Sequence, residues 1–272
     1  MLLTFLAVST PAWPAGDYPQ RIISLTPANT EILYALNLGD KIVGVTTYCN
    51  YPPPASRKEK VGDFSHPNLE KIASLKPDLI LATDLEQMPT VTALRKLGFN
   101  VLVVDPQNFN QLFENIDRIG ELTGTKTQAF ILNQSLQARI NKVTQKIASF
   151  SRLAPKIFIE ISVNPLMTAA RDTFLDEMTN MLHAVNIAHD LPRAYSRVSE
   201  EFVISQNPDF IVLTSPTAKS YFMNNSVWQK TSAVAQQQVI NDINPDLLMR
   251  PGPRLVDGLE LLAERIYRIP AK

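Results

Sequence analysis

Two stretches of this sequence repeat one pattern: Asn68–Thr83 reads NLEKIASLKPDLILAT, and Val198–Thr214 reads VSEEFVISQNPDFIVLT. When Glu70 is aligned with Glu201, the Pro-Asp pairs and the final threonines of the two stretches also coincide. Each copy predicts a short acidic helix, a turn and an apolar strand, because proline ends a helix and a short apolar run bounded by a turn is typical of a buried strand. Such units are common in α/β proteins, so chance similarity and matching positions in two similar lobes are both open interpretations.

The rest of the chain alternates between short apolar runs and amphipathic segments. In the first half, the pattern predicts strands at Ile22–Leu25, Ile42–Thr46, Leu79–Ala82 and Val101–Val104. After Pro155, it predicts strands at Lys156–Ser162, Phe210–Thr214 and Val239–Ile243. Strands that alternate with helices indicate a parallel sheet covered on both faces.

A long polar helix is predicted from Lys126 to about Ala148, between the two halves. Its apolar positions form one narrow stripe, made of Leu132, Leu136, Ile140, Val143 and Ile147. A helix of this length spans on the order of 35 Å. We therefore predict an α/β fold with two Rossmann-like lobes joined by a single long connecting helix. The expected boundaries are residues 17–124 for the N-terminal lobe, 125–150 for the helix and 151–272 for the C-terminal lobe.

The N-terminus has the character of an export signal. MLLTFLAVST is apolar, and PAWPAG then supplies the small residues and prolines of a cleavage zone. A basic segment at the start is missing, so we expect residues 1–16 to be a shortened signal segment, with a buried strand or helix as the alternative. The run is too short to span a bilayer. Because no cysteine lies near the cleavage zone, we expect an exported, soluble, periplasmic protein without a lipid anchor there.

Composition excludes several classes of function. The 272 residues include 26 basic and 26 acidic side chains, and this balance gives no electrostatic footprint for nucleic acid or an anionic membrane. Cys49 is the only cysteine, so an internal disulfide cannot form. A single thiol without a catalytic His/Asn constellation is more often a small buried hydrophobe than a nucleophile.

No catalytic motif is found in the sequence. The chain lacks a G-x-S-x-G elbow, a P-loop, a G-x-G-x-x-G motif and an H-E-x-x-H motif. His183 and His189 are six residues apart, which does not place two metal ligands on one helix face. We therefore expect no metal site and no enzymatic activity. An enzyme built on two α/β lobes is the alternative from a different class, and the absence of a Cys set or a His/carboxylate cluster counts against it.

Aromatic and charged residues on predicted loops are the remaining candidates for function. They are Tyr48, Tyr51, Phe64, Tyr195, Asp246 and Arg250. Loops that follow strands face the crevice of an open α/β sheet, where ligands bind, although each ring could instead pack on its own lobe. Phe64 lies six residues before Glu70. Tyr195 precedes Glu201 by the same number, so both lobes place an aromatic residue just before the matching acidic helix.

Longer motifs carry a family resemblance. RIISLTPANTEILYALNLGDKIVGVT, the YPP motif, VGDFSHPNLEKIASLKPDLILA and DLLMRPGPRL resemble the class III substrate-binding proteins of ABC importers. Within that class the chain is most similar to the periplasmic cobalamin-binding proteins, from about Arg21 to the C-terminus. The resemblance implies two α/β lobes joined by one rigid helix, with a ligand cleft between the lobes.

The resemblance also implies roles for particular residues. It places Tyr51, Phe64 and Tyr195 along a corrin cleft, beside the rim residue Tyr48, and it makes Asp246 and Arg250 polar contacts to the edge of the ligand. Phe64 and Tyr195 stand where some relatives have tryptophan. Thr83 stands where a relative can have an aromatic residue, so that contact is missing. These departures affect the affinity and the exact corrinoid more than the ligand class.

Glu70 and Glu201 match the two acidic residues, one on each lobe, that dock such proteins onto the membrane subunits of the importer. An acidic residue favoured by the helix macrodipole is the alternative interpretation of both. We expect a monomeric protein without a cofactor that delivers cobalamin or cobinamide to a permease dimer.

A haem or ferric-siderophore ligand is the alternative within the same class. Haem would require an axial residue, for which Tyr51, Tyr195 or His66 could serve. His66 is also a possible axial contact to a corrinoid. A siderophore site usually needs a basic cluster, whereas the candidate arginines here are scattered.

Overall fold

The computed structural model describes residues 18–84, 86–150 and 154–268. The predicted signal segment at residues 1–16 lies outside the described residues. The chain divides into two units. The N-terminal lobe comprises the residues up to Asp105 together with Asp117–Ala129, and the C-terminal lobe comprises Pro106–Ile116 together with Phe130–Lys272.

The N-terminal lobe is built on one parallel sheet in the order β2-β1-β3-β4. Its strands are β1 (Ile22–Ser24), β2 (Ile42–Val45), β3 (Leu79–Ala82) and β4 (Val101–Val103). All positions of β1 and β3 are buried, as expected for strands covered on both faces. Each predicted strand of this lobe is confirmed to within one residue. Because the strands are parallel, the segments that follow them all leave from the same edge of the sheet.

Helices connect these strands. They are α1 (Pro27–Ala35), α2 (Leu69–Ser74) and α3 (Met88–Lys96). The hydroxyl of Thr26 accepts a hydrogen bond from the backbone N–H of Asn29 at 3.1 Å, so Thr26 caps the start of α1. Helix α3 begins at Met88, and Pro89 is accommodated in its first turn because the backbone N–H groups there have no intrahelical partner.

Two further helices, α4 (Phe109–Thr123) and α5 (Lys126–Phe150), contribute residues to both units. Helix α5 confirms the predicted long helix. Gly124 separates α4 from α5 with a φ of +73°, and a Cβ atom there would lie 2.5 Å from the Tyr18 ring. The turn therefore requires glycine. The predicted domain boundaries and the connecting role of α5 stay predictions.

The C-terminal lobe contains a mixed sheet in the order β10-β9-β5-β6-β8, with β7 paired to β5. Its strands are β5 (Lys156–Val163), β6 (Leu166–Ala169), β7 (Val185–Asn186), β8 (Tyr195–Arg197), β9 (Phe210–Leu213) and β10 (Val239–Ile240). The expectation of parallel pairing is correct for β5, β9 and β10. It is wrong for β6, which pairs antiparallel with both β5 and β8. Only Asn164 and Pro165 separate β5 from β6, and so short a connection can join only antiparallel strands.

Six helices complete this lobe. They are α6 (Phe174–Met181), α7 (Glu200–Gln206), α8 (Lys219–Met223), α9 (Ser232–Ala235), α10 (Asp246–Met249) and α11 (Leu255–Tyr267). One core cluster contains Phe158 of β5, Phe222 of α8 and the buried Trp228. The rings of Phe222 and Trp228 meet edge to face with centroids 4.7 Å apart, a favourable geometry for aromatic pairs. No helix in the described ranges is long and apolar enough to cross a membrane.

The repeated sequence pattern occupies equivalent positions in the two lobes, beginning with its helix caps. The Asn68 side chain accepts the backbone N–H of Lys71 at the start of α2, and the Ser199 side chain accepts that of Phe202 at the start of α7. After each helix, one aligned residue is left-handed: Lys76 has a φ of 46°, and Asn207 has a φ of 47°.

The two Pro-Asp turns also make the same connection. The Asp78 carboxylate accepts the backbone N–H groups of Gln20 and Arg21, just before β1, at 2.7 and 2.9 Å. The Asp209 carboxylate accepts the backbone N–H of Lys156, the first residue of β5, at 2.8 Å. Strands β3 and β9 then pair parallel with β1 and β5. Of the two interpretations of the repeat, matching positions in two similar lobes is therefore the correct one.

Candidate functional site

The segment between β2 and α2 carries two of the predicted ligand contacts. Tyr48 and Tyr51 are 61% and 43% exposed, on a loop that continues into a turn of 3₁₀ helix at Pro53–Arg57. Three consecutive prolines stiffen this loop. Since β2 pairs parallel with β1, the loop begins at the carboxyl edge of the sheet, where open α/β sheets bind ligands.

Lys60 holds this loop, and no pattern in the sequence marks it as a functional residue. Its ammonium group donates hydrogen bonds to the backbone carbonyls of Thr46, Cys49 and Ala55 at 3.3–3.5 Å. Cys49 is fully buried, which confirms the prediction of a small buried hydrophobe. Its sulfur lies 3.2 Å from the Thr46 hydroxyl. The loop that carries Tyr48 and Tyr51 is therefore closed around a half-buried cation.

Phe64 is half-buried, and its backbone is tied to the sheet edge by Gln87. The fully buried Gln87 side chain donates to the carbonyls of Phe64 and Leu25 at 2.8 and 2.9 Å, and it accepts the Thr83 N–H at 3.1 Å. Leu25 and Thr83 are the first residues after β1 and β3. Gln87 also escaped the sequence analysis, because a glutamine before a helix carries no local signal of burial.

Thr83 stands where a relative can have an aromatic ligand contact, and its side chain is turned to a different use. It is only 6% exposed, and its hydroxyl donates to the carboxylate of Asp105, which follows β4. The side chain thus fastens the ends of β3 and β4 to each other.

Asp246 and Arg250 form a pair in the C-terminal lobe. The Arg250 guanidinium lies 3.0 Å from the Asp246 carboxylate across α10, and both side chains are largely covered. Helix α10 packs closely on α11, because a Cβ atom at Gly258 would lie 2.1 Å from the Leu247 carbonyl oxygen. The predicted polar contacts are therefore one neutralised pair held in place by α11.

Tyr195 begins strand β8, whereas the sequence analysis placed it on a loop. It is 47% exposed, yet enough protein surrounds its phenol that burial raises the pKa of Tyr195. Strand β8 is one edge of the sheet, and Asp246 follows the opposite edge strand, β10.

Glu70 and Glu201 both lie exposed in the first turn of their helices, α2 and α7. Hydrogen bonds from its own backbone N–H and from the Ser199 hydroxyl lower the pKa of Glu201. The neighbouring Glu200 accepts a hydrogen bond from the Tyr221 hydroxyl and is half-buried. Burial and this hydrogen bond raise the pKa of Tyr221 to about 12. Of the two adjacent glutamates, Glu201 is therefore the more accessible to a partner.

His66 is 85% exposed, and its Nδ1 lies 3.4 Å from the Asp63 carboxylate. It is thus accessible, as an axial contact would require. Over the described ranges, no group of three or more His, Cys, Asp or Glu side chains could hold a metal ion.

Two carboxylates, those of Asp176 and Glu160, are buried inside the C-terminal lobe. His189 Nδ1 lies 3.0 Å from both oxygens of Asp176, and the hydrogen bond and charge of Asp176 raise the pKa of His189.

The second carboxylate is Glu160 on β5. One of its oxygens accepts the backbone N–H groups of Thr214 and Ser215 at 3.2 Å. The other oxygen is buried without a hydrogen-bond partner among the described residues. Burial raises the pKa of Glu160. The hydroxyl of Thr168, directly opposite on β6, is also buried and unpartnered within the described ranges.

Residues 22–244 match the family model described as periplasmic binding protein, so the chain belongs to this family. Two α/β lobes and the motifs that carry the resemblance identify it as a class III member, as the sequence implied. The protein is a substrate-binding protein of an ABC transporter.

Three known proteins illustrate this relationship. An ABC transporter substrate-binding lipoprotein of Bacillus subtilis, YvrC, is 40% identical over 92% of this chain and 80% of its own length. The crystal structure of the periplasmic vitamin B12-binding protein of Vibrio cholerae superposes with a TM-score of 0.81 at 32% identity, covering 92% of this chain and 97% of that one. A possible iron-binding (periplasmic solute-binding) protein of Staphylococcus epidermidis gives a TM-score of 0.81 at 32% identity, covering 92% and 100%.

Proposed function

We propose that this protein captures a corrinoid, cobalamin or cobinamide, outside the cytoplasmic membrane and delivers it unchanged to an ABC importer. The observation that carries the proposal is the set of accessible aromatic side chains on both lobes, Tyr48, Tyr51 and Tyr195, in a chain similar to a vitamin B12-binding protein. Aromatic faces with few polar groups suit a large flat macrocycle with a polar rim.

The polar residues support the same ligand class. Asp246 and Arg250 neutralise each other, so they offer a dipole to amide groups more readily than a bare charge to an anion. We place Asp246 and Arg250 at the periphery of the corrinoid.

Isothermal titration tests this ligand assignment. We expect heat and a thermal shift with cyanocobalamin or cobinamide, and weaker binding when Tyr51 or Tyr195 is changed to alanine. Truncation of a well-packed aromatic contact weakens binding by about 1–2 kcal/mol, which is about 5- to 30-fold in affinity. Val185→Ala is a matched control, because Val185 is also an exposed apolar residue but is not a predicted contact. If the protein gives no heat and no thermal shift with either corrinoid, the corrinoid assignment is excluded.

We assign transporter docking to Glu70 and Glu201. One exposed carboxylate on each lobe can meet each half of a two-fold membrane partner, and exposed charge pairs of ~0.2–1 kcal/mol suit a transient contact. Reversing both charges to lysine should abolish uptake in cells while corrinoid affinity is unchanged. If ligand binding fails as well, both residues serve the lobes and not docking. Reversal of Glu121, another exposed glutamate, is the control.

Haem or a ferric chelate is the second candidate ligand, favoured by the accessible phenols and by the similar protein described as possibly binding iron. Haem addition would then produce a Soret band that is lost in Tyr51→Phe, Tyr195→Phe or His66→Ala. A colourless protein after haem addition and gel filtration counts against this candidate.

Export and delivery of the ligand without catalysis belong to the same proposal. The similar Bacillus protein is described as a lipoprotein, so the anchor is open to a direct measurement. Cell fractionation followed by mass spectrometry of the mature N-terminus would show whether the signal is cleaved and whether a lipid is attached.

A further inference from the structure

Gln87 uses its whole amide to connect three segments at the carboxyl edge of the N-terminal sheet. Both hydrogen-bond donations go to carbonyls, those of Leu25 after β1 and Phe64 before α2, and the acceptance comes from the N–H of Thr83 after β3. The side chain is fully buried, so water cannot replace these partners without opening the lobe.

A second connection lies beside the first. The hydroxyl of Ser65 donates to the carboxylate of Glu86. Glu86 and Gln87 therefore hold Ser65 and Phe64, which belong to residues 61–68, here called the Phe64 segment. The segment also has internal order, because the Asn68 N–H donates to the Val61 carbonyl at 2.7 Å. Its own hydrogen bonds thus shape the segment, and residues 86 and 87 fasten it to the ends of the strands.

We infer that Gln87 is a positioning residue for ligand binding, because it fixes the Phe64 segment against the ends of β1 and β3. This role rests on the proposed function, in which Phe64 contacts the ligand. Among side chains of this size, only glutamine supplies two donors and an acceptor in this geometry. A contact held in its bound position before the ligand arrives costs less ordering entropy on binding.

The isosteric substitution Gln87→Glu tests the role. An ionised glutamate still accepts the Thr83 N–H, but it cannot donate to the carbonyls of Phe64 and Leu25. We expect the affinity for cyanocobalamin to fall on the order of 10-fold, as for the loss of one or two net hydrogen bonds.

Asn133→Asp is the matched control. Asn133 is a buried amide on α5 that donates to the Phe113 carbonyl at 2.9 Å, so the same chemical change is made away from the Phe64 segment. Its affinity should stay within about 2-fold of the wild type, since distant sites act independently. Equal losses in the two variants would show that Gln87 acts only through general stability and would overturn the inference.

A pH profile separates positioning from bulk destabilisation. Burial disfavours ionisation of the introduced glutamate, and its neutral form regains one O–H donor. Gln87→Glu should therefore recover part of its affinity as the pH falls from about 8 to about 5, relative to the wild type under the same conditions. If the ratio of the Gln87→Glu affinity to the wild-type affinity does not change with pH, the positioning role of Gln87 is contradicted.

Hydrogen exchange distinguishes failure of this inference from failure of the proposed function. Amides in residues 61–68, including that of Asn68, should exchange faster in Gln87→Glu and at the wild-type rate in Asn133→Asp. If the wild type binds no corrinoid but exchange changes in this way, the ligand assignment fails and the positioning of the segment stands. Unchanged exchange overturns the inference whichever ligand binds.

Discussion

The loop that carries Tyr48 and Tyr51 should open when Lys60 is changed to methionine, and Cys49 should report the opening. Methionine keeps most of the apolar stem of lysine and removes the ammonium group. That group donates to the carbonyls of Thr46, Cys49 and Ala55 in the native lobe. Because Cys49 is fully buried and is the only cysteine of the chain, any thiol reaction reports this loop alone.

The magnitude follows from the number and length of these hydrogen bonds. Hydrogen bonds to a charged group contribute about 1.5–3 kcal/mol each when short, and the three distances of 3.3–3.5 Å place these at or below the lower limit. Water will hydrate the released carbonyls in the opened loop, which reduces the net loss. We expect a loss of about 2 kcal/mol in local closure, which is about 30-fold in the opening equilibrium.

The assay is the rate at which Cys49 reacts with the disulfide reagent DTNB in native buffer. When opening and closing are faster than the reaction, this rate is proportional to the opening equilibrium, so Lys60→Met should react about 30-fold faster than the wild type. Lys96→Met, an exposed lysine on α3 of the same lobe, is the control. A rate within about 2-fold of the wild type would refute the reasoning, as would an increase that only matches the loss of global stability in urea.

Three further substitutions are tested by urea unfolding. Glu160→Gln should stabilise the protein by about 1 kcal/mol at neutral pH, because the neutral amide keeps an oxygen for the N–H groups of Thr214 and Ser215 and removes the cost of a buried charge. The raised pKa of Glu160 means that ionisation opposes folding, so the wild type should lose stability relative to this variant as the pH rises through that pKa. Lys76→Gly should add about 0.5–1 kcal/mol, since the left-handed backbone there strains any residue with a Cβ. The pKa of His189 is raised in the folded protein, so protonated His189 stabilises the fold below the ordinary histidine pKa. This stabilisation is lost as the pH rises through the pKa of the folded state. The free energy of unfolding of the wild type should therefore exceed that of His189→Gln by more at about pH 5.5 than at about pH 8.5.

Features that depend on neighbours within one turn or one strand were predictable. The caps of α1 and α2, the Pro-Asp turns and the four strands of the N-terminal sheet all carry their signals within a few residues. The same local signals, read twice, identified equivalent positions in two lobes. The antiparallel strand β6 was missed because four residues, Leu166–Ala169, are too few to show a period.

The roles of the predicted site residues stay predictions, and the residues that support them, Lys60 and Gln87, could not be identified from the sequence. Tyr48, Tyr51 and Glu201 are exposed as their proposed roles require, whereas Tyr195 begins a strand. Asp246 and Arg250 are four apart on a helix, so their pairing could be anticipated from spacing, although it was predicted only as two separate contacts.

The amino-acid sequence by itself determined the strands of the N-terminal sheet, the parallel strands β5, β9 and β10, the long helix α5 and the membership of a family, because these depend on hydrophobic periodicity and motifs along the chain. Only the tertiary structure decided what Lys60 and Gln87 do. Both are ordinary polar residues in the sequence, and their partners lie up to 62 positions away. A buried donor must find an acceptor wherever the folded chain brings one, and that choice is made by the packing of strand ends and not by neighbouring residues.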